Sequence, residues 1–159
     1  MALKRFYEQN IPYFITSVTE NRKEIFSNKL AGDLLINILL HYKFTCSYNV
    51  SAFVIMPDHF HLIVNPYGNN NISEIMKMIK GSFGRFYNKL TGSSGTVLQK
   101  GFFDEAIRNE KQLLETINYI HANPVRKGLV DNIEKYHYSS YGFYHGKDKN
   151  FELLLKEVL

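Results

Sequence analysis

The nine residues Met56-Pro57-Asp58-His59-Phe60-His61-Leu62-Ile63-Val64 constrain this chain more than any other stretch. Pro57-Asp58 is a turn-forming pair between two apolar, β-forming runs, 48–56 and 59–65, so the segment reads as a β-hairpin. Side chains alternate across a strand, which puts His59 and His61 on one face and Phe60 on the other. Two imidazoles on one face make a grip for a metal ion. A lone histidine on a half-buried strand is more often structural; the pair gains weight from Tyr119 and Asn123. Those two are four residues apart in a helical segment and present a phenol and a carboxamide oxygen on one side. Together the two segments point to metal-assisted tyrosine chemistry.

The rest of the chain supplies elements that bury the hairpin. Residues 13–19 are rich in β-branched and aromatic side chains and end in Glu20-Asn21-Arg22-Lys23, as a strand and its exit loop do. Leu30, Leu34, Leu35, Ile38 and Leu39 recur at helical spacing over 28–42. Ile72, Ile75, Met76, Ile79, Phe83, Phe86 and Leu90 mark a second amphipathic helix, whose opposite face carries Lys77, Lys80, Arg85 and Lys89. After the loop 91–95 a short strand is expected over 102–107. A third helix follows over 110–121, with Leu113, Leu114, Ile117 and Ile120 inward and Pro124 as its stop.

The order β-α-β-β-α-β-α predicts an α+β fold, a ferredoxin-like antiparallel sheet with helices packed on it. No repeat or linker divides the chain, so one domain over 1–159 is expected, with a core over 8–145 and a tail over 146–159. Leu153, Leu154, Leu155 and Val158 make that tail a short helix that packs in cis or on a partner.

Composition narrows the functional classes. Cys46 is the only cysteine, which excludes an intrachain disulfide and a cysteine-rich zinc site and fits a reducing cytoplasm. Residues 1–10 carry Lys4, Arg5 and Glu8 with no apolar signal-peptide stretch behind them. The longest apolar segment, 34–40, is interrupted by Asn37 and falls far short of the roughly 20 residues that span a bilayer, so no membrane partner is expected. A net charge of +4 leans toward an anionic partner but suits many enzymes, so charge alone does not specify nucleic acid.

Neutral imidazoles bind divalent transition metals, and an amide oxygen is a hard donor that Mg²⁺ or Mn²⁺ accepts. His59, His61 and Asn123 as ligands leave positions open for substrate. A metal on a phosphate oxygen stabilises the charge that builds as a phosphodiester is attacked, and Tyr119 offers the attacking oxygen. An unperturbed phenol has a pKa of about 10, so it needs an activating cation, metal or base, which the sequence does not identify. Asp58 is either a turn residue or a carboxylate orienting a histidine, and the turn role is the commoner. His121, two residues past Tyr119, lies on another helical face and reads as structural or substrate-facing before it reads as a ligand. Tyr136, Tyr138, Tyr141 and Tyr144 are rival nucleophiles beyond the helix, where tail packing or ring stacking is the simpler role.

Taken in order, Tyr13-Phe14-Ile15-Thr16, the 56–63 segment, Arg108, Tyr119-Ile120-His121-Ala122-Asn123-Pro124-Val125 and the ending Tyr138-Ser139-Ser140 resemble the REP-associated tyrosine transposases of the single-tyrosine HUH transposase superfamily. The resemblance implies a ferredoxin-like catalytic domain that cleaves and rejoins single-stranded DNA. It does so through a transient 5′-phosphotyrosine, with a divalent metal, Mg²⁺ or Mn²⁺, and no nucleotide cofactor. His59 and His61 match the family's metal pair, Tyr119 its nucleophile and Asn123 the third ligand. In related insertion-sequence enzymes that third position is typically Gln. Asn is one methylene shorter, and a residue before proline is biased away from helical geometry.

The implied partner is single-stranded DNA or a DNA hairpin formed by repetitive extragenic palindromes. Lys77, Lys80, Arg85 and Lys89, with Arg108, Arg126 and Lys127 near the active-site helix, are candidates to track its phosphates. Each of them taken singly also fits a solvated helix face. Oligomeric state stays open between monomer and homodimer, since insertion-sequence relatives work as dimers with shared sites whereas the REP-associated branch can act as monomers. The alternative function is a domesticated sequence- or hairpin-specific DNA-binding protein with little catalysis; the presence of His59, His61, Tyr119 and Asn123 favours the enzyme. An RNA-binding module is disfavoured because the aromatic RRM signature is absent.

Overall fold

Three asparagines open the three long helices. Asn28 accepts a hydrogen bond from the Leu30 amide (3.0 Å) and starts α1 (Lys29–Cys46). Asn71 and Glu74 close a reciprocal capping box at the start of α2 (Ile72–Thr91), and Asn109 accepts from the Gln112 amide (2.8 Å) at the start of α3 (Glu110–Arg126). Each side chain satisfies an amide that the first helical turn leaves unpaired. The computed structural model describes residues 5–157, so the readings that involve Lys4 and Val158 lie outside the described residues.

Four strands, β1 (Tyr13–Val18), β2 (Tyr48–Met56), β3 (His59–Pro66) and β4 (Phe103–Ala106), form one antiparallel sheet in the order β2-β3-β1-β4. With α1 crossing from β1 to β2 and α2 from β3 to β4, this is the expected ferredoxin-like α+β arrangement. Pro57-Asp58 is the two-residue connection of the β2-β3 hairpin.

One face of the sheet is covered by α1 and α2: Leu35, Leu39, Ile75, Ile79 and Phe83 bury against Ile15, Phe53, Ile55, Phe60 and Leu62. On the other face Ile117 and Ile120 of α3 pack with Ala52, Val54, Met56, Ile63 and Ile107. A bulge between Val50 and Ala52 switches the parity of β2, so Tyr48 and Val50 face the α1-α2 core whereas Val54 turns toward α3, opposite His61. His59 and His61 therefore lie under α3.

The C-terminal segment closes the β2 edge. The Ile55 amide donates to the Tyr138 carbonyl (2.9 Å) and the Ser140 amide to the Phe53 carbonyl (3.0 Å), so these residues blunt an otherwise open strand. Short helices α4 (Tyr141–Tyr144) and α5 (Glu152–Leu155) follow. The tail packs in cis, with Phe151, Leu154 and Leu155 buried in the α1-α2 core and the buried Lys43 ammonium donating to the carbonyls of Leu153, Leu154 and Lys156.

Several sequence expectations give way. The third helix does not stop before Pro124 but runs through it to Arg126. The proline sits in the last turn, and the Lys127 amide still reaches the Asn123 carbonyl (3.0 Å), so Asn123 stays helical despite its bias. Leu114 points outward (54% exposed), because α3 presses only a narrow stripe onto the sheet, and Leu113 is half-buried at its margin. Leu30, Phe86 and Leu90 are likewise exposed (40–58%). No helix among the described residues is long and apolar enough to cross a membrane.

Candidate active site

Strand alternation and β3 register put His59 and His61 side by side under α3, with ring centroids 4.8 Å apart, while Phe60 drops into the opposite core. Each imidazole is anchored through Nδ1. His59 Nδ1 lies 2.6 Å from Asp58 Oδ1, and His61 Nδ1 lies 2.8 Å from Thr16 Oγ1, its register partner on β1. The other oxygen of Asp58 accepts from Arg22 (3.2 Å). Burial alone would raise the Asp58 carboxyl, but the bonds from His59 and Arg22 outweigh it and hold the group below the usual carboxylate range. His61 is buried, and desolvation, with His59 as a second cause, pushes its pKa down to about 3. Its ring is neutral, so one nitrogen carries a lone pair.

On α3, Tyr119 and Asn123 are one turn apart and face these rings. Asn123 is buried, with Nδ2 donating to His61 Nε2 (3.2 Å), and its Oδ1 finds no hydrogen-bond partner. A buried carbonyl oxygen without a donor is unusual enough to require an explanation. Beside two imidazoles it completes a nitrogen and oxygen donor set of the kind divalent cations take. Among the described residues no group of three His, Cys, Asp or Glu side chains could hold a metal ion, so a cation held here would draw on this amide. Tyr119 is 40% exposed, which leaves its ring open to a macromolecular substrate. Three neighbours frame it: Phe14 at 6.0 Å and His61 at 5.7 Å between ring centroids, and the Arg126 guanidinium 4.9 Å from the ring centroid.

The structure brings together His59, His61, Tyr119, Asn123 and Arg126, and it places Lys127 on a cavity of about 230 Å³ shared with His59, Asp58 and Arg22. It does not bring the other basic candidates there. Lys77, Arg85 and Lys89 are exposed on α2, across the sheet from Tyr119. Lys80 leaves that solvent face: its half-buried ammonium donates to the carbonyls of Gln99 (2.6 Å) and Gly101, and burial lowers its pKa. Arg108 precedes α3 at the end away from Arg126 and pairs with Glu8 (2.7 Å).

The rival tyrosines have structural work. Tyr136 donates to the Ile55 carbonyl (2.7 Å), Tyr138 to Asp33 Oδ1 (2.7 Å), and Tyr144 to the Ser51 carbonyl. Burial is the leading cause that raises all three phenols, Tyr136 to about 12. Tyr141 stacks on His145, with ring centroids 3.9 Å apart. His121 is structural, buried with Nε2 2.7 Å from Ser140 Oγ. Sequence reasoning missed Thr16 and Arg22, and Asp58 fills both of the roles weighed for it, sitting in the turn and bonding His59. Thr16 stands inside a recognisable motif, but only the β1-β3 register reveals its partner.

The sequence pattern of the IS200-like transposase family matches residues 7–123 and ends at Asn123. A REP-associated tyrosine transposase of Escherichia coli is 26% identical, aligning over 87% of this chain and 81% of its own. A Haemophilus influenzae protein named for the same group is 28% identical, over 81% of this chain and 78% of its own. The solved structure of a REP-associated tyrosine transposase bound to a REP hairpin has the same fold, with a TM-score of 0.77 at 22% identity over 99% of this chain and 92% of that one. The family pattern spans well over half of the sequence, and the chain belongs to the IS200-like transposase family, enzymes that act on single-stranded DNA, with REP-associated tyrosine transposases among its relatives.

Proposed function

We propose that this transposase cleaves and rejoins single-stranded DNA at palindromic hairpin repeats, with Tyr119 as its nucleophile. One observation carries the reading: Asn123 meets His61 (3.2 Å) one helical turn from a phenol that stays 40% exposed beside them. The Tyr119 oxygen attacks a backbone phosphorus and gives up its proton. The bond from phosphorus to the 3′ oxygen breaks, that oxygen leaves as a hydroxyl, and a 5′-phosphotyrosine remains. Attack by another 3′-hydroxyl joins the strands and restores the phenol.

His59, His61 and Asn123 would hold a divalent cation, Mg²⁺ or Mn²⁺, which when bound supplies Lewis-acid stabilisation of the phosphate oxygens. The chain's own groups prepare that site. Asp58 orients His59, the neutral His61 carries a lone pair that accepts from Asn123 Nδ2 and would turn to a cation once one binds, and the Asn123 oxygen has no donor. Arg126 and Lys127 are assigned to phosphates at the site. Lys77, Arg85 and Lys89, exposed on α2, are assigned to phosphates of a hairpin arm away from Tyr119, and Lys80 and Arg108 contribute only where DNA displaces their present partners. The solved relative is bound to a REP hairpin, and we assign the same class of ligand to this chain on that likeness. One chain carries His59, His61, Tyr119 and Asn123 together, which favours action as a monomer over a site shared between subunits.

The test is incubation of end-labelled single-stranded hairpin DNA with Mg²⁺ or Mn²⁺ and separation under denaturing conditions. A metal-dependent covalent adduct is expected, absent in Tyr119→Phe although that variant still binds the hairpin. Hairpin binding with no adduct, or an adduct that survives Tyr119→Phe, would overturn the assignment.

A further inference from the structure

Charge is distributed unequally along α3 around Tyr119. Arg126 and Lys127 lie beyond it toward the C-terminal end, whereas Gln112, Glu115 and Thr116 precede it by one to two turns. These three, with Phe14, Glu105 and Tyr119 itself, line a cavity of about 320 Å³. The cations at that end are engaged elsewhere or only loosely: Arg108 pairs with Glu8 (2.7 Å), and Lys111 reaches Glu115 at 4.0 Å with both side chains exposed. The phenol therefore stands between a cationic helix end and a cavity rimmed by two carboxylates.

The wall of the cavity is aromatic. Phe14 stacks on His61 (5.2 Å between ring centroids) and meets Tyr119 and Phe103 edge-on at 6.0 and 6.2 Å. Strand pairing sets Phe14 beside Glu105 across β1 and β4, so ring and carboxylate share one face of the sheet, where Phe103 stays 55% exposed. An open aromatic shelf suits single-stranded DNA, because every base has a π-face to stack.

The polar atoms left on the rim are acceptors. Gln112 spends its amide nitrogen on Glu105 and the Ala106 carbonyl (both 3.2 Å) and its oxygen on the Arg108 amide (2.9 Å), and Thr116 donates to the Gln112 carbonyl (2.7 Å). What remains for a ligand is the carboxylates of Glu105 and Glu115, which repel a phosphate and accept from an amine. A nucleotide laid across Tyr119 is thereby oriented, its phosphate toward Arg126 and its base toward the cavity. Cytosine offers such acceptors an exocyclic amine where thymine offers a carbonyl.

We propose that the cavity of Phe14, Glu105, Glu115 and Tyr119 is a subsite for one nucleobase beside the scissile phosphate, stacked on the aromatic shelf and selected for an amino group by the two carboxylates. That the base adjoins the scissile bond rests on the reading of Tyr119 given above; the subsite and its preference for an amine do not.

The experiment uses the full chain without metal, at neutral pH, with single-stranded hexamers of deoxycytidine or thymidine as probes. The two pyrimidines match in size, so a difference in affinity reports the edge of the base. Titration followed by NMR is expected to shift the ring signals of Phe14, Phe103 and Tyr119 and to favour the cytosine probe by about fivefold or more, the low end of what one good base-edge pair discriminates. Phe103→Ala weakens both probes. The double variant Glu105→Gln with Glu115→Gln, which keeps an acceptor for Gln112 and adds amide donors, narrows the preference to less than about twofold. Equal wild-type affinities, ring signals of Phe14 and Tyr119 that stay fixed, or a preference that survives the double variant would overturn the proposal. A cytosine preference seated on these rings in a chain that forms no adduct with hairpin DNA upholds the base subsite and removes the nucleophile assignment instead.

Discussion

The guanidinium of Arg126 lies over the ring of Tyr119, 4.9 Å from its centroid. Seven residues separate them, two turns of α3, so the helix itself delivers a cation to its own phenol. A cation over an exposed ring contributes about 0.5–1 kcal/mol, which amounts to only a few-fold in rate if Arg126 merely steadies the ring. A guanidinium that also grips the scissile phosphate contributes more, through charge-assisted bonds. We expect Arg126→Gln to slow single-turnover adduct formation by about tenfold or more and Arg126→Lys to recover part of it. A loss of only two- to threefold (about 0.5 kcal/mol) would restrict Arg126 to packing.

Asn123 should separate stability from function. Leucine keeps the branching of asparagine, with two methyl groups in place of the amide oxygen and nitrogen, and removes the buried oxygen that has no donor, a group whose burial costs about 1–3 kcal/mol. The change also removes the bond to His61. Asn123→Leu is therefore expected to melt within a few degrees of the metal-free wild type while its Mn²⁺ affinity and adduct formation collapse. Calorimetry and metal titration check the two halves separately.

Acid stability should report on His121. Burial, with His145 as a second cause, holds its pKa down to about 4 in the folded chain, against an ordinary value of 6.5. Between those values the unfolded chain binds the proton and the folded chain does not, so stability is full above pH 6.5 and falls as pH drops toward 4. His61, held at about 3, adds to the same loss. His121→Gln keeps a polar atom for Ser140 but cannot titrate. Its stability should fall less steeply over this window, by up to about 1.4 kcal/mol per pH unit, in denaturant melts of the metal-free protein.

Lys43 should control the tail alone. Its ammonium ties α1 to the carbonyls of Leu153, Leu154 and Lys156, on the side of the sheet away from Tyr119. Lys43→Met is expected to speed proteolysis within 146–157 and leave adduct formation within about twofold of wild type, because no contact of this latch reaches the site. A large loss of activity would reveal coupling across the sheet.

The β2-β3 hairpin, the shared face of His59 and His61 and the one-turn spacing of Tyr119 and Asn123 were all legible in the sequence, because periods of 2 and 3.6 residues are local properties of the backbone. The ferredoxin-like order followed from the alternation of such segments. Helix limits were less legible: Pro124 lowers helical preference, yet it occupies a last turn in which few bonds are lost, so packing of Ile117 and Ile120 prevails. Leu114 and Phe86 match the apolar period and still face solvent, since periodicity marks a stripe without giving its width.

Local chemistry thus determined which groups this chain can offer a phosphate: imidazoles in pairs, a phenol and an amide on one helical edge. Only the tertiary structure decided which of them meet. The antiparallel pairing of β1 and β3 set Thr16 against His61, the layering put Lys77, Arg85 and Lys89 on the far side, and the docking of α3 carried Asn123 to an imidazole 62 residues away in sequence. Such contacts depend on strand register and on which face of the sheet a helix covers, and neither is encoded in the spacing of neighbouring residues.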